Sequence, residues 1–331
     1  MRVYAGIDEA GYGPMFGPLV IGRSVLAVDG GDPEAEADFW KLLGKAVCKA
    51  RGDKRGRVAV NDSKKLHTSS AKHRLRDLER GVLSFATLAG HRPGNVGDLL
   101  DALGETAHRR MRDLPWYAPT PTWPWQDLPV DSTAGEIAVA TGMLTAAAKV
   151  AGVTVLDVGA AIVFEDQFNQ MVHATRSKAT VAFTFVSRHL AAIWQRYGAH
   201  DPVVVVDRQS GRTHYRQPLA LAIPDANMQV IDESELASVY RLSTDRPTPR
   251  SMTIRFEIDS EQNHLPVALA SMISKFSREL LMMRFQKWFS ERAADIKPTA
   301  GYGTDAKRFW LDVQPHLAEW NIAPDQLRRR R

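Results

Sequence analysis

Asp8 and Glu9 stand side by side where an apolar run over residues 2–7 ends, and Asp207 closes the run Val203-Val204-Val205-Val206. Adjacent residues on a strand point to opposite faces, but the turn that follows, Gly11-Tyr12-Gly13-Pro14, lets both Asp8 and Glu9 face one site. Carboxylates at the ends of neighbouring strands can hold a hard divalent ion. Mg²⁺ is bound through one or two carboxylates, with water and substrate phosphate completing its shell. A single Asp at a strand end is ordinarily a turn-capping residue; the glycine turn after the pair favours the metal reading.

These carboxylates need strands to carry them. Residues 2–7 and 18–28 read as strands on either side of the glycine turn, which Gly17-Pro18 completes. Val58–Val60 is a brief strand, followed by a charged helical stretch from about His67 to Arg80. Two helices are predicted at Ala134–Ala151 and Gln167–Arg196, with a strand near 153–164 between them. Four consecutive valines at 203–206 imply a strand buried on both faces. Further strands are expected at Met228–Ile231 and Ser251–Ile258, and helices over 266–289 and 304–319. The pattern is that of an α/β domain, or an α+β one, with one mixed sheet. Residues 91–134 differ: six prolines (Pro93, Pro115, Pro119, Pro121, Pro124, Pro129) break regular structure, while Trp116, Trp123 and Trp125 suggest a loop packed onto the domain. This stretch reads as an insertion, not a linker. One domain over 1–331 is expected, with a helical C-terminal part over 263–331.

Composition narrows the class. The chain has 331 residues, 44% hydrophobic and 24% charged, which is too apolar for disorder in the bulk. No unbroken apolar run approaches the length of a membrane span, and acids occupy the N-terminus where a signal peptide is apolar, so a cytoplasmic protein is expected. Cys48 is the only cysteine, which excludes an internal disulfide and a Cys-rich zinc site. The net charge is +5, and Arg328, Arg329, Arg330 and Arg331 account for most of it. That tail reads as a terminus free to fray, or as a phosphate contact. More telling is the stretch from Lys45 to Lys65, where eight basic residues face only Asp53 and Asp62, a pattern of either a solvated loop or a phosphate-backbone contact.

Gly6-Ile7-Asp8-Glu9-Ala10-Gly11-Tyr12-Gly13-Pro14, continued by Phe16-Gly17-Pro18, resembles the opening motif of the type 2 ribonucleases H (ribonucleases HII and HIII). Asn61-Asp62-Ser63-Lys64-Lys65-Leu66 is similar to the family's DSKKL segment, and Val206-Asp207 to the strand end that carries its third carboxylate. Ala270-Ser271-Met272-Ile273-Ser274-Lys275, with Arg278-Glu279, resembles the family's A-S-I-x-A-K helix and its R-D/E continuation. Gly301-Tyr302-Gly303-Thr304 resembles the G-Y-G/P-T turn. These five motifs stand in the family's order over residues 6–304.

The resemblance implies a ribonuclease H-like fold, a mixed central β-sheet flanked by helices, and cleavage of the RNA strand of RNA–DNA hybrids. It implies four acids holding two Mg²⁺ or Mn²⁺ ions: Asp8, Glu9, Asp207, and a fourth ten positions before Ser271, where Glu261 stands. Asp259 is the reserve, and Glu257 is close enough to compete. Two-metal hydrolysis leaves 5′-phosphate and 3′-hydroxyl ends. Telling RNA from DNA requires contact with the 2′-hydroxyl, a role the resemblance gives to Gly11, Gly13 and Tyr302. Lys64, Lys65 and Lys275 are the phosphate candidates.

Two departures stand out. Ribonucleases HII have Arg in the middle of the glycine turn, associated with recognising an RNA–DNA junction, where this chain has Tyr12. Ribonucleases HIII carry an extra N-terminal substrate-binding domain, and none is expected ahead of Asp8. The chain reads as a diverged relative, with a monomer favoured. Competing readings are a catalytically weak nucleic-acid-binding relative and a nuclease of the same fold acting on DNA junctions.

Overall fold

Four consecutive valines leave the Val203–Val206 backbone no polar face to turn to water, and the segment lies in the middle of a seven-stranded sheet. The computed structural model describes residues 1–30, 36–67, 73–104, 108–208 and 212–330. Parts of the predicted 67–80 helix and of the 91–134 insertion, and Arg331, lie outside the described residues. In chain order the strands are β1 (Arg2–Ala10), β2 (Leu19–Val28), β3 (Val47–Cys48), β4 (Val58–Ala59), β5 (Val153–Val163), β6 (Val203–Asp207), β7 (Asn227–Glu233), β8 (Ala237–Thr244) and β9 (Arg250–Glu257). The main sheet runs β5-β2-β1-β6-β9-β8-β7, with β6 parallel to both β1 and β9 and the remaining pairs antiparallel. β3 and β4 form a separate parallel pair. The mixed sheet flanked by helices is the architecture that the sequence predicted.

Period-two alternation divides the core into two layers. Val3, Ala5 and Ile7 of β1, with Leu19, Ile21, Val25 and Ala27 of β2, bury on the side covered by the helix Lys178–Tyr197. Tyr4, Val20, Leu26 and Val28 bury on the other side, against the helix Leu265–Ser290. That long helix is buried almost all round, as expected of a helix enclosed by other layers. It crosses the sheet at two glycines: a Cβ on Gly6 would lie 2.1 Å from the Pro266 carbonyl carbon, and one on Gly22 2.3 Å from the Ala270 oxygen.

Several elements differ from expectation. The predicted Gln167–Arg196 helix is two helices, Glu165–Thr175 and Lys178–Tyr197. Arg176 takes a left-handed conformation between them (φ 54°), and the Ser177 hydroxyl accepts a hydrogen bond from the Thr180 amide to start the second. The charged helix near 67–80 is observed at Arg76–Leu88, where Leu78, Val82 and Phe85 give it a buried face. β8 escapes sequence reading because its inward positions, Ser238, Tyr240 and Leu242, begin with a serine. The last predicted helix stops at Val313, and a 3-10 turn containing Pro315 follows. Helix Ala134–Ala151 has the length and mean hydropathy (1.2) of a membrane-spanning segment, although Thr, Gly and Glu interrupt its apolar run. It packs on the helix Arg76–Leu88 and on β5, burying Ala140, Leu144, Ala147 and Ala148.

The proline- and tryptophan-rich stretch is built into the core. Trp116 and Tyr117 are fully buried, with Trp116 against Phe285, Trp288 and Phe289 of the long helix. Arg284 donates to the carbonyls of Tyr117, Ala118 and Pro124, and its guanidinium lies 3.8 Å from the Trp123 ring centroid and 4.6 Å from that of Trp125. A guanidinium satisfies carbonyls that proline-rich backbone cannot pair with itself.

Candidate active site

The pleat and register decide where the acids go. Ile7 pairs with Val206 across the parallel β1–β6 ladder, so Asp8 and Asp207 follow side by side at the same end of the sheet. Asp8 continues the face that carries Tyr4 and Gly6, the face of the long helix. Its carboxylate accepts from the Glu9 amide at 2.6 Å, and it shares a cavity with Ser271 of that helix, whose hydroxyl donates to Ser63 at 3.0 Å. Glu261 arrives from the 3-10 turn Ser260–Gln262, just past β9. The same turn satisfies Asp207, whose Oδ1 accepts from the Ser260 amide (3.2 Å) and hydroxyl (3.0 Å).

Asp8, Glu9, Asp207 and Glu261 all line one cavity of about 260 Å³, together with Gly11, Tyr12, Asp62, Ser63, Lys64, Ser271, Lys275 and Tyr302. Asp259 is exposed and lies outside it, and the Glu257 carboxylate is taken by His264 at 2.9 Å. Gly13 and Lys65 are exposed and do not line the cavity. Lys64 does, at the start of the short helix Ser63–Leu66, whose first turn Asp62 caps by accepting from the Lys64 amide at 2.9 Å. Lys275 lines the cavity while donating to Glu279 at 2.8 Å. Tyr302 is 44% exposed, with the Arg278 guanidinium 5.3 Å from its ring centroid. Tyr12 packs against the helical layer of Phe183 and Tyr215, on the side of the sheet away from the insertion. Burial, followed by the Glu9 charge, raises its phenol pKa.

Crowding shows in the carboxyl groups. Burial raises Asp8 to about 7, and the charges of Glu9 and Glu261 add to it. Asp207 is raised to about 6 by burial and then by the Asp8 charge. Glu261 is raised to about 7 by burial and then by the Asp207 charge. Such a pocket stores repulsion that a cation would relieve.

The donor set fits a hard divalent ion by its chemistry: four carboxylates supply only oxygen, and Glu261 Oε2 is buried with no hydrogen-bond partner. As the side chains stand, no group of three or more acidic, histidine or cysteine residues among the described residues is arranged to hold an ion, so the carboxylates would have to turn inward to share one.

Sequence reasoning passed over part of this site. Ser271 and Asp62 lay inside recognised motifs without a role, although a hydroxyl beside Asp8 and a cap beside Lys64 are local signals. The arginine tail reads from sequence as a fraying terminus or a phosphate contact, and for Arg329 the structure shows neither: it is only 2% exposed and donates to the Gly11 carbonyl at 2.6 Å and the Pro14 carbonyl at 2.7 Å.

No family model and no curated protein matches the chain. It is similar to the solved structure of the PCNA–ribonuclease HII complex from Archaeoglobus fulgidus, at 14% identity over 99% of this chain and 94% of that one, with a TM-score of 0.40. It is also similar to ribonuclease H2 from Pyrococcus horikoshii (14% identity, 98% and 92% covered, TM-score 0.40). A third similar structure is Bst ribonuclease HIII in complex with Mn²⁺ (11% identity, TM-score 0.40), which the match covers over 66% of its length and 99% of this chain.

Proposed function

We infer that this chain is a divalent-metal-dependent endonuclease that cleaves the RNA strand of RNA–DNA hybrids. The observation that carries the reading is the convergence of Asp8, Glu9, Asp207 and Glu261, from three separate elements, on one cavity that Gly11, Tyr12 and Tyr302 also line. The same residues carry the likeness of five ordered motifs to the type 2 ribonucleases H.

Asp8, Glu9, Asp207 and Glu261 would hold the metal, and a bound pair of Mg²⁺ or Mn²⁺ ions would supply an activated water and stabilise the leaving 3′ oxygen. The protein's own groups do the rest. Lys64 and Lys275 stand on the cavity wall, where they offset phosphate charge beside the acids. The Glu9 amide orients the Asp8 carboxyl, and Ser260 fixes that of Asp207. The Gly11–Gly13 backbone approaches the ribose, whose 2′-hydroxyl marks RNA. Exposed Lys45, Lys54, Arg55 and Lys65 extend the positive surface toward the phosphate backbone.

The test is incubation with three labelled duplexes, a continuous hybrid, DNA with one ribonucleotide, and all-DNA, each with Mg²⁺ or Mn²⁺. Metal-dependent cleavage of the hybrid to 5′-phosphate and 3′-hydroxyl ends is expected. Binding without cleavage would favour a binding protein, and cleavage of branched DNA alone a junction nuclease.

A further inference from the structure

Residues 11–18 run from β1 to β2 without regular secondary structure, so their backbone groups must find partners elsewhere. The partners come from distant parts of the chain. Glu165 Oε1 accepts from the Gly17 amide and from the Tyr117 hydroxyl of the insertion, both at 2.9 Å. Arg278 of the long helix donates to the Phe16 carbonyl at 3.1 Å. Gly11 and Gly17 both take positive φ (86° and 87°), which favours glycine, and a Cβ at either would also strike Arg278 or Met282.

Arg329 makes the most concentrated of these contacts. One guanidinium nitrogen reaches the carbonyls of Gly11 and Pro14, and the Arg329 amide donates to the Met15 carbonyl at 2.8 Å. The guanidinium rests 4.7 Å from the Phe168 ring centroid. Its segment is seated by buried Asn169, which donates to the Asp325 and Arg328 carbonyls and accepts from the Arg330 amide. Burying a guanidinium is costly; here Nη2 carries both carbonyl contacts, while Nε and Nη1 are buried without a hydrogen-bond partner.

The carbonyl of one residue and the amide of the next belong to one planar unit and point in opposite directions in a trans peptide. Holding the Gly11 oxygen therefore aims the Tyr12 amide away from Arg329. Holding the Pro14 oxygen likewise fixes the Met15 amide, which donates to the Gly301 carbonyl at 2.7 Å, next to Tyr302. One side chain thus sets both parts of the surface assigned above to the ribose.

We propose that Arg329 is the positioning residue of the glycine turn: it sets the Tyr12 amide and the Gly301–Tyr302 segment, and through them the affinity for substrate more than the rate of hydrolysis. Its substrate rests on the hybrid-cleavage reading; its effect on the turn does not.

Two measurements on the full chain test it with Arg329→Ala and Arg329→Lys. Without nucleic acid, amide hydrogen exchange over residues 12–17 should quicken by about tenfold or more in Arg329→Ala, less in Arg329→Lys, with β1 and β6 unchanged. With a labelled hybrid, KM should rise about tenfold while kcat stays within about twofold, and Lys should restore part of the loss. Unchanged exchange in the turn, or a fall in kcat at unchanged KM, overturns the proposal. If the parent chain neither binds nor cleaves hybrid, the hybrid reading fails and the exchange result still decides the role of Arg329. Should Arg329→Ala not fold, Arg329→Lys alone decides, and exchange equal to the parent's overturns it.

Discussion

The carboxyl groups of Asp207 and Glu261 line one cavity, one from the end of β6 and the other from the turn beyond β9, and the Asp207 charge raises the pKa of Glu261. Two ionised carboxylates in one cavity repel each other, and a divalent cation would relieve that repulsion. In Asp207→Asn a neutral amide replaces the acid, and its oxygen can still accept from Ser260. Cleavage should fall by roughly a hundredfold or more, while stability without metal holds or rises as repulsion is relieved. Millimolar Mn²⁺ should raise the melting temperature of the parent chain, by about 2.7 kcal/mol of added stability at a hundred times Kd, and leave Asp207→Asn nearly unmoved. Equal metal-dependent shifts in the two proteins would count against Asp207 as a metal ligand.

Glu261 and Asp259 are two residues apart, yet only Glu261 faces the cavity. Glu261→Gln should therefore lose cleavage of a hybrid, whereas Asp259→Asn, an exposed substitution, should stay within about twofold of the parent. Initial rates at saturating Mg²⁺ separate the two, and a larger loss in Asp259→Asn would reverse the assignment.

A different part of the fold adds a destabilising response to acid. His189 is buried between β2 and its covering helix, with Nε2 donating to the Ile21 carbonyl and Nδ1 accepting from Arg23, each at 2.9 Å. Burial, with the Arg23 charge, pushes its pKa down to about 3 from 6.5. The folded state thus binds fewer protons than the unfolded one between these values. The stability His189 contributes is fully present above pH 6.5 and is lost as pH falls toward 3. In urea unfolding the parent should lose about 2 kcal/mol relative to His189→Gln between pH 6.5 and 5. This loss runs against the gain from Asp8, Asp207 and Glu261, whose raised carboxyls take up protons in both proteins over the same window. An equal slope in both proteins would place the acid sensitivity elsewhere.

What the sequence made legible follows the range of the signal. Asp8, Glu9 and Asp207 end apolar runs, so their place at strand ends could be read locally. Glu261 depends on its distance from Ser271, a spacing with meaning only once the motif is recognised. Arg329 carried a misleading signal: a run of four arginines looks solvated, and nothing local marks the one that docks 318 residues away against Gly11. Glu165 was equally hidden, because its value lies in pairing Gly17 with Tyr117 of the insertion. Likewise the break at Arg176 shows only as a left-handed residue, in an otherwise helical stretch.

Tyr12 occupies the place where the resembled ribonucleases HII have Arg. It lines the cavity, is half-buried, and packs toward Phe183 and Tyr215, with the Arg212 charge close enough to act on its hydroxyl. Arg offers a fixed charged fork to a phosphate, where Tyr offers one neutral hydroxyl and a ring face. Losing a charge-assisted contact costs about 1.5–3 kcal/mol, roughly one to two decades in affinity. A continuous hybrid has many further contacts to offset that loss, whereas a lone ribonucleotide in DNA depends on the junction contact. The parent chain should therefore cleave a continuous hybrid and incise a single ribonucleotide weakly or not at all. Tyr12→Arg should gain single-ribonucleotide incision by about tenfold or more, with hybrid cleavage little changed. Steady-state rates on the two substrates, for both proteins, are the measurement, and equal activity of the parent on both would show that Tyr12 does not set the preference.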